Sequence, residues 1–465
     1  MSVDTSNIAK EGGGVFGWLD RRYGLTPLVE FMKHKEVPVG VHSMFWYYLG
    51  GATLFFFMMQ VCTGSLLLLF YQAGESTSYE SIRFITTKVP FGWLVRSMHC
   101  WSAHLMIISL VTHMFSTMML KAYRPPREMT WVTGFILLSL ALGFGFSGYL
   151  LPWNELAFFA TAVGTDSMKA VPGIGDFLLQ VLRGGTDVSI NTLHRFFGLH
   201  VVILPLVMVG LVTAHLLVIQ RQGMAPPQGH KTAPKGMRFF PDFALRDLQL
   251  WLMCLIVLAS LAVFLPYGPH IPGIEWELGK KANPLAPAYP GIKPEWYFLW
   301  IYQLLKEFPA HFLGMEGSQA AVLLVGLLMG AWAMMPWLDR RAQRDEASPG
   351  FTDIGAATLI FLGFLLFKAW DIGGGGIGDK LPDPVLTARI CAFWWLGIAS
   401  VATALRATVL HQRYFLFTAA TALQIALHGL LGMQYLAAGG IALVALVIGL
   451  LVLRSRGQAV PEVRS

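Results

Sequence analysis

Arg96-Ser97-Met98-His99, an apolar run and then His113 form one pattern, and Arg195-Phe196-Phe197-Gly198-Leu199-His200 followed by His215 repeats it. The intervals are 113 − 99 = 14 and 215 − 200 = 15. At about 100° per residue, such a step returns a helical side chain to within roughly 40–60° of its first direction. Each helix then points two imidazoles one way, roughly 20 Å apart along its axis. Two such helices side by side can clamp two iron centres stacked through a membrane, each iron taking one His from each helix. That is the ligand set of a bis-imidazole haem. Arg96 and Arg195 precede the first His of each pair and can each meet a haem propionate. A single zinc site is excluded, because ligand pairs roughly 20 Å apart cannot make one tetrahedron.

Composition agrees. The 465 residues are 55% hydrophobic and only 13% charged, which is multi-span membrane protein and not a soluble domain. The net charge of +7 is read as loop topology and not as a nucleic-acid footprint. Cys62, Cys100, Cys254 and Cys391 are scattered, with no Cys-x-x-Cys-His and no iron–sulfur spacing. No signal peptide is expected at the polar N-terminus.

Val15 to Lys35 is too charged to span and reads as an interfacial amphipathic helix. About ten spans follow. They are expected near Trp46–Phe70, Val95–Leu120, Trp131–Leu151, Phe196–Ile219, Leu248–Leu265, Ala320–Leu338, Ile354–Ala369, Ile390–Leu405, Tyr414–Leu436 and Ala437–Leu453. Lys121, Arg124 and Arg127 follow span two; Arg221, Lys231, Lys235, Arg238 and Arg246 follow span four; Arg340, Arg341 and Arg344 follow span six. The positive-inside bias puts these loops and both termini in the cytoplasm. Spans two and four then run parallel, which pairs His99 with His200 near the outer face and His113 with His215 near the inner face.

Spans one and three carry glycines at the same period: 64 − 50 = 14 for Gly50 and Gly64, and 148 − 134 = 14 for Gly134 and Gly148. A flat macrocycle wedged between helices needs a missing side chain where it presses on the backbone. Two outward loops, Pro152 to Asn191 and Pro266 to Ser318, are too apolar for solvated connections and read as lids over a membrane-surface site. The second contains Pro294-Glu295-Trp296-Tyr297.

These motifs, with Gly148-Tyr-Leu-Leu-Pro-Trp153, resemble the cytochrome b family of quinol-oxidising bc-type complexes over about residues 15 to 405. The 15-residue interval, Gly17-Trp-Leu-Asp20, Pro126-Arg-Glu-Met-Thr-Trp131-Val-Thr-Gly134 and Ala170-Val-Pro-Gly-Ile-Gly175 resemble the chloroplast and cyanobacterial branch. That branch divides the protein after the fourth span; here the parts are one chain. That branch hangs an extra haem from a Cys before Leu-Gly-Gly, where this chain has Tyr48. The expectation is therefore two non-covalent b-type haems. His411 and His428 lie beyond the resemblance, out of register with the haem set, and are read as structural.

The resemblance implies quinol oxidation at the outer face, electron transfer through two haems and quinone reduction at the inner face, coupled to proton translocation. Glu295 stands in an apolar aromatic loop, where a carboxyl is a candidate quinol-proton acceptor; Tyr297 and Tyr149 are candidate partners of the ring or of Glu295. Gln220, Arg221, Lys235 and Asp247 are candidates for the inner quinone site, with Asp247 the proton donor. Implied partners are a Rieske-type iron–sulfur protein, a c-type cytochrome, the quinone pool, membrane lipid and a second copy in a homodimeric complex. The location implied is a bacterial or archaeal plasma membrane. The fold expected is all-α: residues 1–45 with the interfacial helix, 46–222 a four-helix di-haem bundle, 223–405 a C-terminal domain with the quinol loop, and 406–465 an extra transmembrane hairpin. The alternative is a di-haem b subunit that wires electrons for another quinone-linked reductase or dehydrogenase.

Overall fold

The structure, a computed structural model, describes residues 15–27, 30, 36–37, 44–226, 237–264, 278–288, 292–312, 314–344 and scattered positions between 346 and 369. Among them, helices dominate. The β structure is two antiparallel pairs of two-residue strands, Glu36–Val37 with Met237–Arg238 and His311–Phe312 with Met315–Glu316.

Among the described residues, five helices are long and apolar enough to cross a membrane: Trp46–Leu68, Gly92–Met119, Glu128–Tyr149, Ile190–Gln222 and Phe239–Phe264. They are apolar on all sides, as helices between lipid and protein must be. Val202, Leu206 and Leu217 of the fourth and Met253 and Ile256 of the fifth are exposed, as lipid-facing residues are. The first span pairs most extensively with the second, the third with the fourth, and the fifth lies against the second and first. Phe55, Trp101, Leu110, Met114, Leu137 and Leu258 meet in the shared core.

The sequence expectation of a sixth span over Ala320–Leu338 is corrected. The helix runs Gly317–Ala333, and a new short helix begins at Met335 with Pro336 in its first turn. Proline has no N–H to continue the ladder. The spans expected at Ile354–Ala369 and beyond, and His411 and His428, lie outside the described residues or in their scattered positions. The N-terminal helix covers Val15–Tyr23, with Arg22 stacked over Trp18 at 4.0 Å.

The connection between spans three and four folds on itself. Asn154 caps the helix Glu155–Asp166 by accepting the Ala157 N–H at 2.8 Å. Arg183, 3% exposed, donates to the Thr165 hydroxyl and the Ala162 carbonyl, both at 2.7 Å, and pairs with Asp166 at 3.0 Å.

The loop between spans two and three buries charge. Lys121 and Arg124, taken as loop cations, are buried at 2% and 7% exposure. Lys121 pairs with Asp339 at 3.3 Å, and Asp339 also accepts the hydroxyls of Tyr123 and Ser348, both at 2.7 Å. Arg124 donates to the Pro226 carbonyl at 2.6 Å and Arg127 to the Gly223 carbonyl at 3.0 Å. Trp131 adds a bond to the Trp332 carbonyl at 2.9 Å. The Asp339 and Trp332 contacts fasten the chain beyond the fifth span onto the second and third, and the Arg124 and Arg127 bonds hold the end of the fourth span to the same loop.

Candidate functional site

Each of the four helical glycines meets one of the four histidines. A Cβ built at Gly64 would stand 3.2 Å from Cε1 of His99, and one at Gly50 would stand 3.3 Å from Cε1 of His113. At Gly134 it would stand 3.3 Å from Cε1 of His215, and at Gly148 only 2.5 Å from Cε1 of His200. The first span thus receives the imidazoles of the second, and the third span those of the fourth. Across the bundle the ring centres of His99 and His200 are 6.4 Å apart, with planes at 77°. His113 and His215 are close enough to interact electrostatically.

Hydroxyls that sequence reasoning did not single out orient three of these rings. Thr63 lies 2.9 Å from Nδ1 of His99, Thr133 2.8 Å from Nδ1 of His215, and Ser147 3.3 Å from Nδ1 of His200. Each hydroxyl spends its own hydrogen on a backbone carbonyl one turn back, those of Met59, Met129 and Gly143. Each therefore accepts from the ring, placing the proton on Nδ1 and leaving the Nε2 lone pair for a metal. His200 Nδ1 also lies 3.1 Å from the Phe144 carbonyl. The legible signal was a Thr or Ser directly before three of the glycines. At Gly50 the preceding residue is Leu49, and His113 Nδ1 is buried with no hydrogen-bond partner among the described residues.

The unequal intervals have a local cause. Leu199–Ile203, which contains His200, is a π-helical turn, and the Leu204 N–H bonds the Leu199 carbonyl. Pro205 follows and offers no N–H to the carbonyl of Val201. A π turn accommodates one extra residue, so a 15-residue interval does the geometric work of 14.

The residues fit a haem on these observations. Two imidazole–metal bonds of about 2 Å on either side of one atom put the ring centres roughly 6 Å apart, close to the 6.4 Å seen. Among the described residues no group of three or more His, Cys, Asp and Glu is placed to hold a metal ion, and the four histidines meet in pairs. Arg96 lies near Cys100. Arg195 donates to the carbonyls of Gln180 and Val181, on the outer helix Gly175–Arg183.

At the end of the bundle near His99 and His200, the Glu295 carbonyl accepts the Phe298 N–H at 2.8 Å, opening the turn Trp296–Phe298 and then the helix Leu299–Glu307. Trp296 donates from Nε1 to Nδ1 of His104 at 3.0 Å. Tyr297 is buried and wedges its phenol against Gly145, where a Cβ would lie 2.5 Å from the hydroxyl. Burial, with the charges of Glu295 and Cys100 adding, holds the Tyr297 phenol well above its usual value, so it stays a neutral donor. Tyr149, on the third span, packs beside the aromatic cluster of Trp153, Phe158 and Phe159.

At the end of the bundle near His113 and His215, Asp247 presses its carboxyl on Gly51 of the first span, with Oδ1 buried. Tyr48, beside Arg246 and Asp247, stacks on Phe243 with ring centres 4.4 Å apart. Gln220 is half-buried and Arg221 exposed on the last turn of the fourth span. Lys235 lies outside the described residues.

Residues 34–223 match the family model described as Cytochrome b/b6/petB, and residues 281–396 match Cytochrome b(C-terminal)/b6/petD. A cytochrome bc complex cytochrome b subunit of Chlorobaculum thiosulfatiphilum is 49% identical over 353 residues, covering 75% of this chain and 79% of that protein. A cytochrome b6 of a Synechococcus strain is 40% identical over 213 residues, covering 46% of this chain and 98% of that protein. A solved chain of a hyperthermophilic respiratory Complex III superposes with a TM-score of 0.67 at 23% identity, over 93% of this chain and all of that one; it shows the fold alone.

Proposed function

The chain belongs to the cytochrome b family, and from that premise we propose how its residues divide the work of a quinol-oxidising complex. It is the cytochrome b subunit of a cytochrome bc complex of the quinol:cytochrome c oxidoreductase type, a multi-pass membrane protein, and the family binds two b-type haems. In our reading His99 with His200 would hold the outer haem and His113 with His215 the inner one. When bound, these groups carry single electrons between the two faces. The observation that carries this reading is the four glycine–histidine contacts, with the His99 and His200 rings one metal atom apart.

The chain's own residues supply the rest. Thr63, Thr133, Ser147 and the Phe144 carbonyl fix ring orientation. Arg96 and Arg195 serve the propionates. Glu295 accepts a proton from a quinol hydroxyl, with Tyr297 and Tyr149 holding the ring. Of the two electrons released, one goes to a Rieske-type iron–sulfur partner and thence to a c-type cytochrome; the other crosses this chain. At the inner face Gln220, Arg221 and Lys235 hold the quinone, and Asp247 delivers a proton. The working unit is a homodimeric complex in a bacterial or archaeal plasma membrane, both termini cytoplasmic. Within the chain, 1–45 is interfacial, 46–222 the di-haem bundle, 223–405 the part with the quinol loop, and 406–465 an added hairpin.

Glu295→Gln tests the reading. It keeps the shape and removes the base, so quinol:cytochrome c turnover should fall about 100- to 10,000-fold while the reduced-minus-oxidised spectrum keeps both haems. Normal turnover with normal haems would remove Glu295 from proton transfer.

A further inference from the structure

His104 stands on the second span between His99 and His113, yet it cannot join them. Its offsets are 104 − 99 = 5 and 113 − 104 = 9 residues. At about 100° per residue these put it roughly 140° and 180° away from the two histidines in direction. It shares its face instead with Cys100, one turn earlier, and Arg96, one turn before that. That face meets the Pro294–Tyr297 loop. Glu295 interacts electrostatically with Cys100, and Trp296 donates its indole N–H to Nδ1 of His104 at 3.0 Å. The His104 and Trp296 ring centres are 6.4 Å apart, with planes at 43°. Trp101, 7% exposed, closes the other side of the imidazole edge-on at 6.1 Å.

The bond sets a direction. An indole only donates, so Nδ1 of His104 must accept and the ring proton must sit on Nε2. The next loop residue is fixed elsewhere: Tyr297 wedges against Gly145 on the third span. Neighbouring side chains, with ring centres 5.4 Å apart at 84°, are thus seated on two different spans. The second span also carries His99, and the third carries Gly148 against His200. Glu295 is the residue directly before this pair of seats.

We propose that His104 is a positioning residue for quinol oxidation: by accepting the Trp296 indole hydrogen it fixes the Pro294–Tyr297 loop to the helix that bears His99, and so holds Glu295 at a set distance and angle from the outer haem site. It touches neither quinol nor metal. Its contribution is orientation, where a misplacement of about 1 Å costs on the order of 100-fold in rate. The proposal rests on the reading of Glu295 given above, but the bond itself is tested without it.

His104→Phe keeps a flat ring and removes the acceptor; His104→Gln restores one. In the purified complex, His104→Phe should keep both haems in the difference spectrum and lower quinol:cytochrome c turnover about 10- to 100-fold. Amide hydrogen exchange of residues 292–300 should quicken at least tenfold. His104→Gln should recover most of both. Trp296→Phe removes the donor from the other side, should reproduce the His104→Phe effects, and stands in should His104→Phe lose haem. The double variant should be no worse than either single. Unchanged loop exchange in both single variants, or equal defects in His104→Phe and His104→Gln, would overturn the proposal. If Glu295→Gln keeps full turnover while His104→Phe still frees the loop, the base assignment fails and the loop anchor stands.

Discussion

Gly148→Ala puts the packing of the histidines to a quantitative test. A methyl there would stand 2.5 Å from Cε1 of His200, 3.0 Å from Nδ1 and 3.1 Å from Nε2. Carbon atoms in contact sit about 3.5 Å apart or more, so the ring must retreat by 3.5 − 2.5, about 1 Å. It has little room: its Nδ1 lies 3.1 Å from the Phe144 carbonyl, one turn back on the same helix as Gly148. The same subtraction at Gly64 gives about 0.3 Å, and at Gly50 and Gly134 about 0.2 Å. Alanine favours a helix over glycine by roughly 0.5–1 kcal/mol, and overpacking costs about 1–3 kcal/mol. At three glycines the two effects nearly cancel. At Gly148 the clash dominates, and a coordination bond of about 2 Å does not tolerate a 1 Å displacement. The expected result is selective: Gly148→Ala loses the His99–His200 component in potentiometric titration of membranes, while Gly50→Ala and Gly134→Ala keep both components. Two normal components in Gly148→Ala, or a worse loss in Gly50→Ala, would refute the reasoning from clearances.

Deleting Val202 shortens the His200–His215 interval to 14; the π turn should relax to an α turn and both haem components should persist in the difference spectrum, whereas loss of either would show that the turn does more than absorb a residue. For Asp339, burial pushes the carboxyl up, but hydrogen bonds from Ser348, Tyr123 and the Ala342 N–H, with the charge of Lys121, outweigh it and hold it below the usual 3.8. A depressed value contributes stability above the ordinary carboxylate range that fades as pH falls through the folded value, so heat-induced loss of haem absorbance should move to lower temperature below about pH 4. Asp339→Asn should cost about 1.5–3 kcal/mol at neutral pH, because Lys121, Tyr123 and Ser348 lose a charged acceptor, and should lose that acid-range dependence.

The bundle was legible because membrane helices are written in long apolar runs and because 14 and 15 residues are near-whole numbers of turns. The glycines were legible through the same period. Thr63, Thr133 and Ser147 were not, because a hydroxyl in a membrane helix ordinarily bonds its own backbone one turn back; these do that and also receive a ring. His104 was invisible for a related reason: its direction is off the haem face, and its partner lies 192 residues away. Lys121 and Arg124 were legible as loop cations after the second span, but their burial was not, because a charge count cannot see an acid 218 residues later in sequence, 339 − 121. The sixth span was drawn too long because hydropathy averages across Pro336, while backbone hydrogen bonding does not.

The Lys121–Asp339 pair has a consequence for manufacture. Lys121 belongs to the stretch that matches cytochrome b6 proteins over nearly their whole length, and Asp339 belongs to the stretch that matches the second family model. A half made alone would lack the 3.3 Å ion pair that offsets the desolvation of these two charges. The pair therefore couples the two stretches: its stabilisation exists only when both are present. Joining the two stretches in one polypeptide makes the ratio of one to one automatic, so that both charges are always made together.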